Sequence, residues 1–303
     1  MQPKKYTPHL ALLGTNLAWA FAYPMYHMVL PNHITPLAIL TATLIISALF
    51  SLVPLLWEPY ERVARRDVLP LIGAALLVAV LRKGLLIFAL SMTTPIDGSI
   101  ISTLTPIIVL LISIIVGIEK FNLNKLTGLL LGLGGAVGVI LTSSGGSDSG
   151  AIHLKTEMVG NIMVLGCAMI SAIYIVWFKE LLKRYSPTTV MRWVFCTAAI
   201  AVTPFGLKPL LETNFAAMPT HILLATIYVM VMPTYIPNLL QNYALQYVQP
   251  TVSSTFAYIQ PIVAGAVSMA LHLDTPKWES VLFAGVIFAG VAIVISSYKR
   301  SVV

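Results

Sequence analysis

Charge is scarce in this chain: Lys, Arg, Asp and Glu make up 10% of its 303 residues, against 58% hydrophobic ones. A water-soluble domain carries roughly a quarter charged residues, so a chain this apolar lacks the polar surface to cover itself in water. Cysteine is nearly missing. Cys167 and Cys196 have neither a C-x-x-C spacing nor a histidine neighbour, so they suggest neither a disulfide framework nor a metal site and read as packing residues. No His-Glu-x-x-His and no paired aspartates occur inside the apolar stretches, so an intramembrane enzyme has nothing to work with. The loops are too short for the soluble output domain of a sensor. The net charge of +7 comes without a basic stripe of interleaved aromatics, which argues against nucleic acid. The N-terminus "MQPKKYTPHLALLGTN" has no small-residue cleavage pattern and runs on past spanning length, so it reads as a first helix rather than a removable signal.

What is present is a succession of apolar runs. At about 1.5 Å per residue, a hydrocarbon core about 30 Å thick needs roughly 20 residues for each crossing. Ten such runs are visible, at 9–30, 36–57, 68–91, 95–117, 126–143, 158–178, 188–207, 220–245, 250–272 and 279–298. They are continuous rather than alternating, so the backbone groups must be satisfied inside helices and not in a β-barrel. The expected fold class is an all-α polytopic membrane protein with ten transmembrane helices. The cations give its orientation. With the N-terminus inside, the cytoplasmic segments carry Lys4, Lys5, Arg62, Arg65, Arg66, Lys120, Lys125, Lys179, Lys183, Arg184, Lys299 and Arg300, and the outer loops only Lys155, Lys208 and Lys277. That asymmetry places both termini in the cytoplasm, with the lipid bilayer as partner. Three cations are left over: Arg82, Lys83 and Arg192.

The chain also repeats itself. A shift of 155 carries Pro95 to Pro250, Ser99 to Ser254, Pro106 to Pro261, Glu119 to Asp274, Gly135 to Gly290 and Val139-Ile140 to Val294-Ile295. The expected units are 1–143 and 158–303, joined by a polar linker at 144–157 that continues the flexible "SSGGSDSG". Five helices per unit is an odd number, so the second unit enters the membrane from the opposite side. Inverted repeats characterise secondary transporters, with the site near the midplane where the repeats meet.

The stretches 85–141 and 239–295, each with an Ala-Leu, a helix with a central proline, an acid and a glycine-rich closing helix, resemble the EamA repeat of the drug/metabolite transporter superfamily. The likeness is strong in runs three to five and eight to ten and weaker in the first and sixth, where "GTNLAWAFAY" matches "GCAMISAIYI" only loosely. The resemblance implies a ten-helix transporter of the plasma membrane, the bacterial inner membrane, with export as the direction. It leaves the substrate open among amino acids, drugs, nucleotide sugars and other metabolites. No cofactor and no metal are expected.

Several residues are candidates for the site. Pro106 and Pro261 each remove a backbone N–H and free a carbonyl in mid-helix, as a hinge or gate or as a fixed kink. The eighth run is the most interrupted, with Pro233, Tyr235, Pro237, Asn238, Gln241 and Asn242, whose amides are too costly to leave in lipid and either hold substrate or bind neighbouring helices. Tyr258 and Gln260 precede Pro261, and Trp19 and Tyr23 share one face of the first run, where they can stack on a ligand. Gly128, Gly132, Gly134 and Gly138 form small-residue stripes that read as packing within the bundle, so a monomer suffices while the oligomeric state stays open.

"AVLRKGLLIF", residues 79–88, puts Arg82 and Lys83 side by side in an apolar run. From Val68, Arg82 lies about 21 Å along its helix, past the midplane, where a charge costs roughly 2.5–3.5 kcal/mol. Successive residues are turned about 100° apart, so the two cannot point the same way. One reading has Arg82 facing the cavity to pair with an anionic group of a small-molecule solute, and Lys83 at the cavity edge or snorkelling outward. The other is a structural pair of Arg82 with Asp97. A guanidinium suits carboxylate or phosphate, so an acid or an amino acid leads, with a nucleotide sugar or another phosphate-bearing solute as the alternative.

Overall fold

The structure is a computed structural model that describes residues 7–117, 122–142, 151–248, 250–275 and 277–299. Its main helices are α1 (Thr7–Val29), α2 (Pro36–Leu52), α3 (Arg65–Leu90), α4 (Pro95–Ile115), α5 (Leu123–Thr142), α6 (Ala151–Trp177), α7 (Pro187–Leu211), α8 (Thr220–Tyr247), α9 (Val252–Ala270) and α10 (Trp278–Lys299). A short helix, Lys179–Arg184, joins α6 to α7, and no strand occurs among the described residues. All ten expected runs fall on helices, and seven of these (α2, α3, α4, α6, α7, α8 and α9) are long and apolar enough to cross a membrane. In α5 and α10 the apolar helix is shorter, at Lys125–Leu141 and Trp278–Gly290. In α1 the polar groups of Thr15 and Asn16 interrupt the apolar run. α6 starts at Ala151, inside the expected 144–157 linker, and Glu119 lies outside the described residues.

The starts of three helices are written in the sequence as a hydroxyl followed by proline. Thr35, Thr94 and Ser186 each cap their helix by accepting a backbone N–H three residues on, from Ala38, Asp97 and Thr189. The following Pro36, Pro95 and Pro187 occupy the first turn, where no donor is missed.

The packing has the exchange symmetry that two repeats require. α5 packs on α10 and α2 on α7; α1 packs on α8 and α9, while its counterpart α6 packs on α3 and α4. Glycine allows the α5–α10 contact. A Cβ at Gly290 would stand 2.6 Å from the Gly128 carbonyl and 2.8 Å from the Gly132 nitrogen, and one at Gly135 2.9 Å from the Phe283 carbonyl. The small-residue stripes are therefore used inside the chain.

Polar contacts tie each end of the bundle. At one end Arg184 bonds Asp67 at 3.0 Å, Tyr185 donates to the same carboxylate at 2.7 Å, Ser186 donates to Glu61, Thr188 to Glu58, and Gln246 reaches the Leu182 and Tyr185 carbonyls. At the other, Ile96 N–H donates to Asp274, Ser280 to Asp97 at 2.9 Å, and Thr93 to Asn161. The helices between these ends surround the site.

Candidate functional site

The cavity is shaped by breaks in its helices, and the breaks follow from proline chemistry. A proline cannot donate to the carbonyl four residues back. In α8, Pro233 and Pro237 therefore release the carbonyls of Val229 and Pro233, and the helix opens over Met232–Thr234. Those two carbonyls are taken by α1: Tyr26 Oη donates to Val229 O at 3.4 Å and Trp19 Nε1 to Pro233 O at 3.0 Å. Thr15 adds a bond to Pro237 O at 3.1 Å. The mid-helix aromatics of α1 are thus the donors that the broken α8 needs in an apolar surrounding. Pro106 releases Ser102 O in the same way, and Thr105 Oγ1 fills it at 2.8 Å. Both α4 and α9 break just ahead of their prolines, at Thr103–Leu104 and at Phe256–Tyr258.

α3 is interrupted differently. Residues Ala75–Arg82 form a π-helical segment, a rare widening of the turn. At its end both cations line the same cavity. Arg82 Nε bonds Ser171 Oγ on α6 at 2.5 Å, and its guanidinium lies 5.6 Å from the Trp19 ring centre. Lys83 does not snorkel. It is 9% exposed, and its Nζ reaches Thr234 Oγ1 at 2.5 Å and Tyr26 Oη at 3.4 Å, across to the break in α8. Outward snorkelling would need an open path to an interface, and Lys83 instead meets hydroxyls of α1 and α8. The structural pair with Asp97 is absent as well: Asp97 is bonded to Ser280, and no carboxylate among the described residues lies within ion-pair distance of Arg82 or Lys83. Two cations face the cavity, and among the described residues its lining contains no Asp or Glu.

A second network closes the wall between α1, α4 and α9. Tyr23 Oη lies 2.6 Å from Ser102 Oγ and 3.3 Å from Gln260 Oε1, and Gln260 donates to Asn16 Oδ1 at 2.8 Å.

Of the residues expected at the site, Trp19, Tyr23, Arg82, Lys83, Asn238, Gln241 and Gln260 line this cavity together. Tyr235, Asn242 and Tyr258 do not. Tyr235 packs between Phe50 and Phe195, Asn242 holds Tyr174 at 3.1 Å, and Tyr258 meets Phe288 edge-on. A helix turns about 100° per residue, so only one face of α8 or α9 can look inward. Pro106 is buried in α4 and Pro261 half-buried in α9, both outside the lining. Arg192, the third unplaced cation, sits behind the wall, with its guanidinium 5.5 Å from the Tyr60 ring centre. Sequence reasoning missed Asn16, Ser102, Ser171, Thr234 and Ser253. The only signal for them was a polar atom within an apolar run, and many such residues merely bond their own helix.

At the tied ends two carboxyls depart from the ordinary range. Burial alone would raise Glu61, but hydrogen bonds from Thr189 and Ser186 and the nearby Arg192 charge hold it below the usual value. Burial raises Asp274, with the neighbouring Asp97 charge adding to it.

The EamA-like transporter family matches the chain over residues 7–141 and 158–296. A solved structure titled "Crystal structure of protein" shares the fold, with a TM-score of 0.66, 17% identity, and coverage of 98% of this chain and 99% of its own. No curated protein matches the sequence.

Proposed function

Because the chain belongs to the EamA-like transporter family, we propose that it is a secondary transporter moving small anionic metabolites through the central cavity by alternating access. It is a carrier rather than an enzyme, with ten membrane crossings in two inverted repeats, both termini in the cytoplasm of a bacterial cell and export as its direction. The observation that carries the substrate class is the cation pair. Arg82 and Lys83 face one buried cavity whose lining, among the described residues, has no acid, so a charge-bearing anion is the partner that desolvated cations require. Among the solutes the family suggests, an organic acid fits this lining better than an amino acid, whose ammonium would find no carboxylate. Pro106 and Pro261 act as hinges, since each lies just past a break in a helix of the cavity wall.

The test is flux in proteoliposomes with labelled organic acids, amino acids, nucleotide sugars and cationic drugs, with and without a pH gradient. Saturable movement of an acid that Arg82→Ala abolishes is the expected result. Flux confined to cations, or acid flux untouched in a folded Arg82→Ala protein, refutes the assignment.

A further inference from the structure

Two polar side chains of the cavity have nothing to bond. Ser253, on the first turn of α9, is 2% exposed, lines the cavity, and its Oγ has no hydrogen-bond partner. Gln241 of α8 lines the same cavity, and none of the protein's hydrogen bonds among the described residues involves its amide. Buried polar groups are almost always paired, and serines inside helices commonly bond back to their own backbone, as Ser99, Ser102 and Ser171 do here; of the buried side-chain atoms left without a partner among the described residues, Ser47, Ser113 and Ser268 included, Ser253 Oγ is the one on the cavity lining. The buried Ser253 hydroxyl is therefore a group in want of a ligand, and the half-buried Gln241 amide, on the other arm of the same helical hairpin, is a second group that a ligand in the cavity can bond.

Their place relative to the cations is set by α8. Lys83 is anchored at Thr234, and Gln241 lies seven residues further along the same helix. At about 1.5 Å per residue the two levels are about 10 Å apart. Ser253 follows the turn at the end of α8, on the Gln241 side of that interval. Asn238 and Ser254 adjoin Gln241 and Ser253 along the chain, Tyr174 and Met191 meet the neighbouring Asn242, and the charged groups among the described lining residues are Arg82 and Lys83 alone. An ammonium or a second carboxylate placed there would lose its water without meeting a counter-charge. A hydroxyl, carbonyl or amide would bond the Ser253 hydroxyl and the Gln241 amide at no such cost.

Resting on the anion reading above, we infer that Ser253 and Gln241 form a second subsite for an uncharged hydrogen-bonding group at the far end of the same substrate. The substrate is then an acid with one charged end, held by Arg82 and Lys83, and one neutral polar end. A polymer backbone extends at most about 3.6 Å per three bonds, so about 10 Å corresponds to roughly eight bonds. A chain of six to eight carbons spans the two subsites.

The test is a matched series of six-carbon acids differing only at the far end, with methyl (hexanoate), hydroxyl (6-hydroxyhexanoate), amide (adipic acid monoamide), ammonium (6-aminohexanoate) and carboxylate (adipate). Affinity for the full-length protein in nanodiscs and inhibition of uptake in proteoliposomes are both read. The hydroxyl and amide acids should bind about tenfold more tightly than the methyl acid, the effect of one good hydrogen bond. The ammonium and carboxylate acids should bind no better than the methyl acid. In Ser253→Ala and, separately, Gln241→Leu, the ratio of polar-end to methyl-end affinity should fall to within about twofold. The wild-type series needs no variant to fold. Equal affinity for all ends, a preference for a charged end, or a ratio that survives both substitutions overturns the second subsite. If acids bind in an Arg82-dependent way with no end preference, only this inference fails; if no acid binds at all, the anion reading fails with it.

Discussion

Trp19→Phe tests whether α1 is the donor strip for the broken α8. The indole Nε1 donates to Pro233 O at 3.0 Å, and that carbonyl lost its helical partner because residue 237 is a proline. Removing the indole N–H leaves a buried carbonyl unsatisfied, which costs roughly 1–3 kcal/mol in a folded interior. Hydrogen bonds measured between membrane helices average nearer 0.6 kcal/mol, so about 1 kcal/mol is the expected share of the bond itself. Smaller volume and a weaker contact with the Arg82 guanidinium add to the measured loss. The second background separates these effects. In Pro237→Ala an N–H returns at residue 237 and can bond Pro233 O along the helix, making the indole redundant. Trp19→Phe should then cost about 1 kcal/mol less in Pro237→Ala than in the parent, while the packing losses cancel in the cycle. The assay is reversible denaturant unfolding of all four proteins in mixed micelles. Costs equal to within about 0.3 kcal/mol in the two backgrounds would refute the reasoning. Tyr26→Phe with Pro233→Ala should show the same pattern more weakly, because that bond is 3.4 Å long.

Gly290→Ala places a methyl 2.6 Å from the Gly128 carbonyl, so it should lower stability by about 1–3 kcal/mol, while Gly285→Ala, with nothing within 4 Å, should be neutral; thermal melts in detergent compare them. Lys83→Met leaves Thr234 without its ammonium partner and should weaken acid flux in proteoliposomes while leaving Arg82 in place; unchanged flux would confine substrate recognition to Arg82. For Asp274, a carboxyl raised in the folded state makes folding bind a proton, so its contribution to stability falls as pH rises through the interval between its unfolded and folded values. Asp274→Asn should therefore raise Tm near pH 7 more than near pH 3, read from melts across pH. Glu61 has the opposite sign: held low in the folded state, its contribution is present above the unfolded value and is lost as pH falls through the folded one. Glu61→Gln should flatten the loss of stability on acidification, and a steeper loss would contradict it.

The sequence alone determined the solvent, the helical class and the repeat. These rest on properties that every helix carries by itself: apolar length, proline and glycine positions, hydroxyl-proline caps and the distribution of cations among loops. It also singled out Arg82 and Lys83, because two adjacent charges in an apolar run need a reason wherever they lie. Only the tertiary structure decided what they face. Lys83 turned inward because α8 opens at Thr234, Asp97 was claimed by Ser280, and Trp19 became a donor because Pro237 left a carbonyl free. Tyr235, Asn242 and Tyr258 looked equivalent to Gln241 and Gln260 in the sequence and ended behind the wall. Composition places polar atoms in a helix, but the rotation of each helix and the breaks within it choose which of them meet in a cavity. Those are set by packing between segments up to 244 residues apart, as in the bond from Gln260 to Asn16, and no local pattern encodes them.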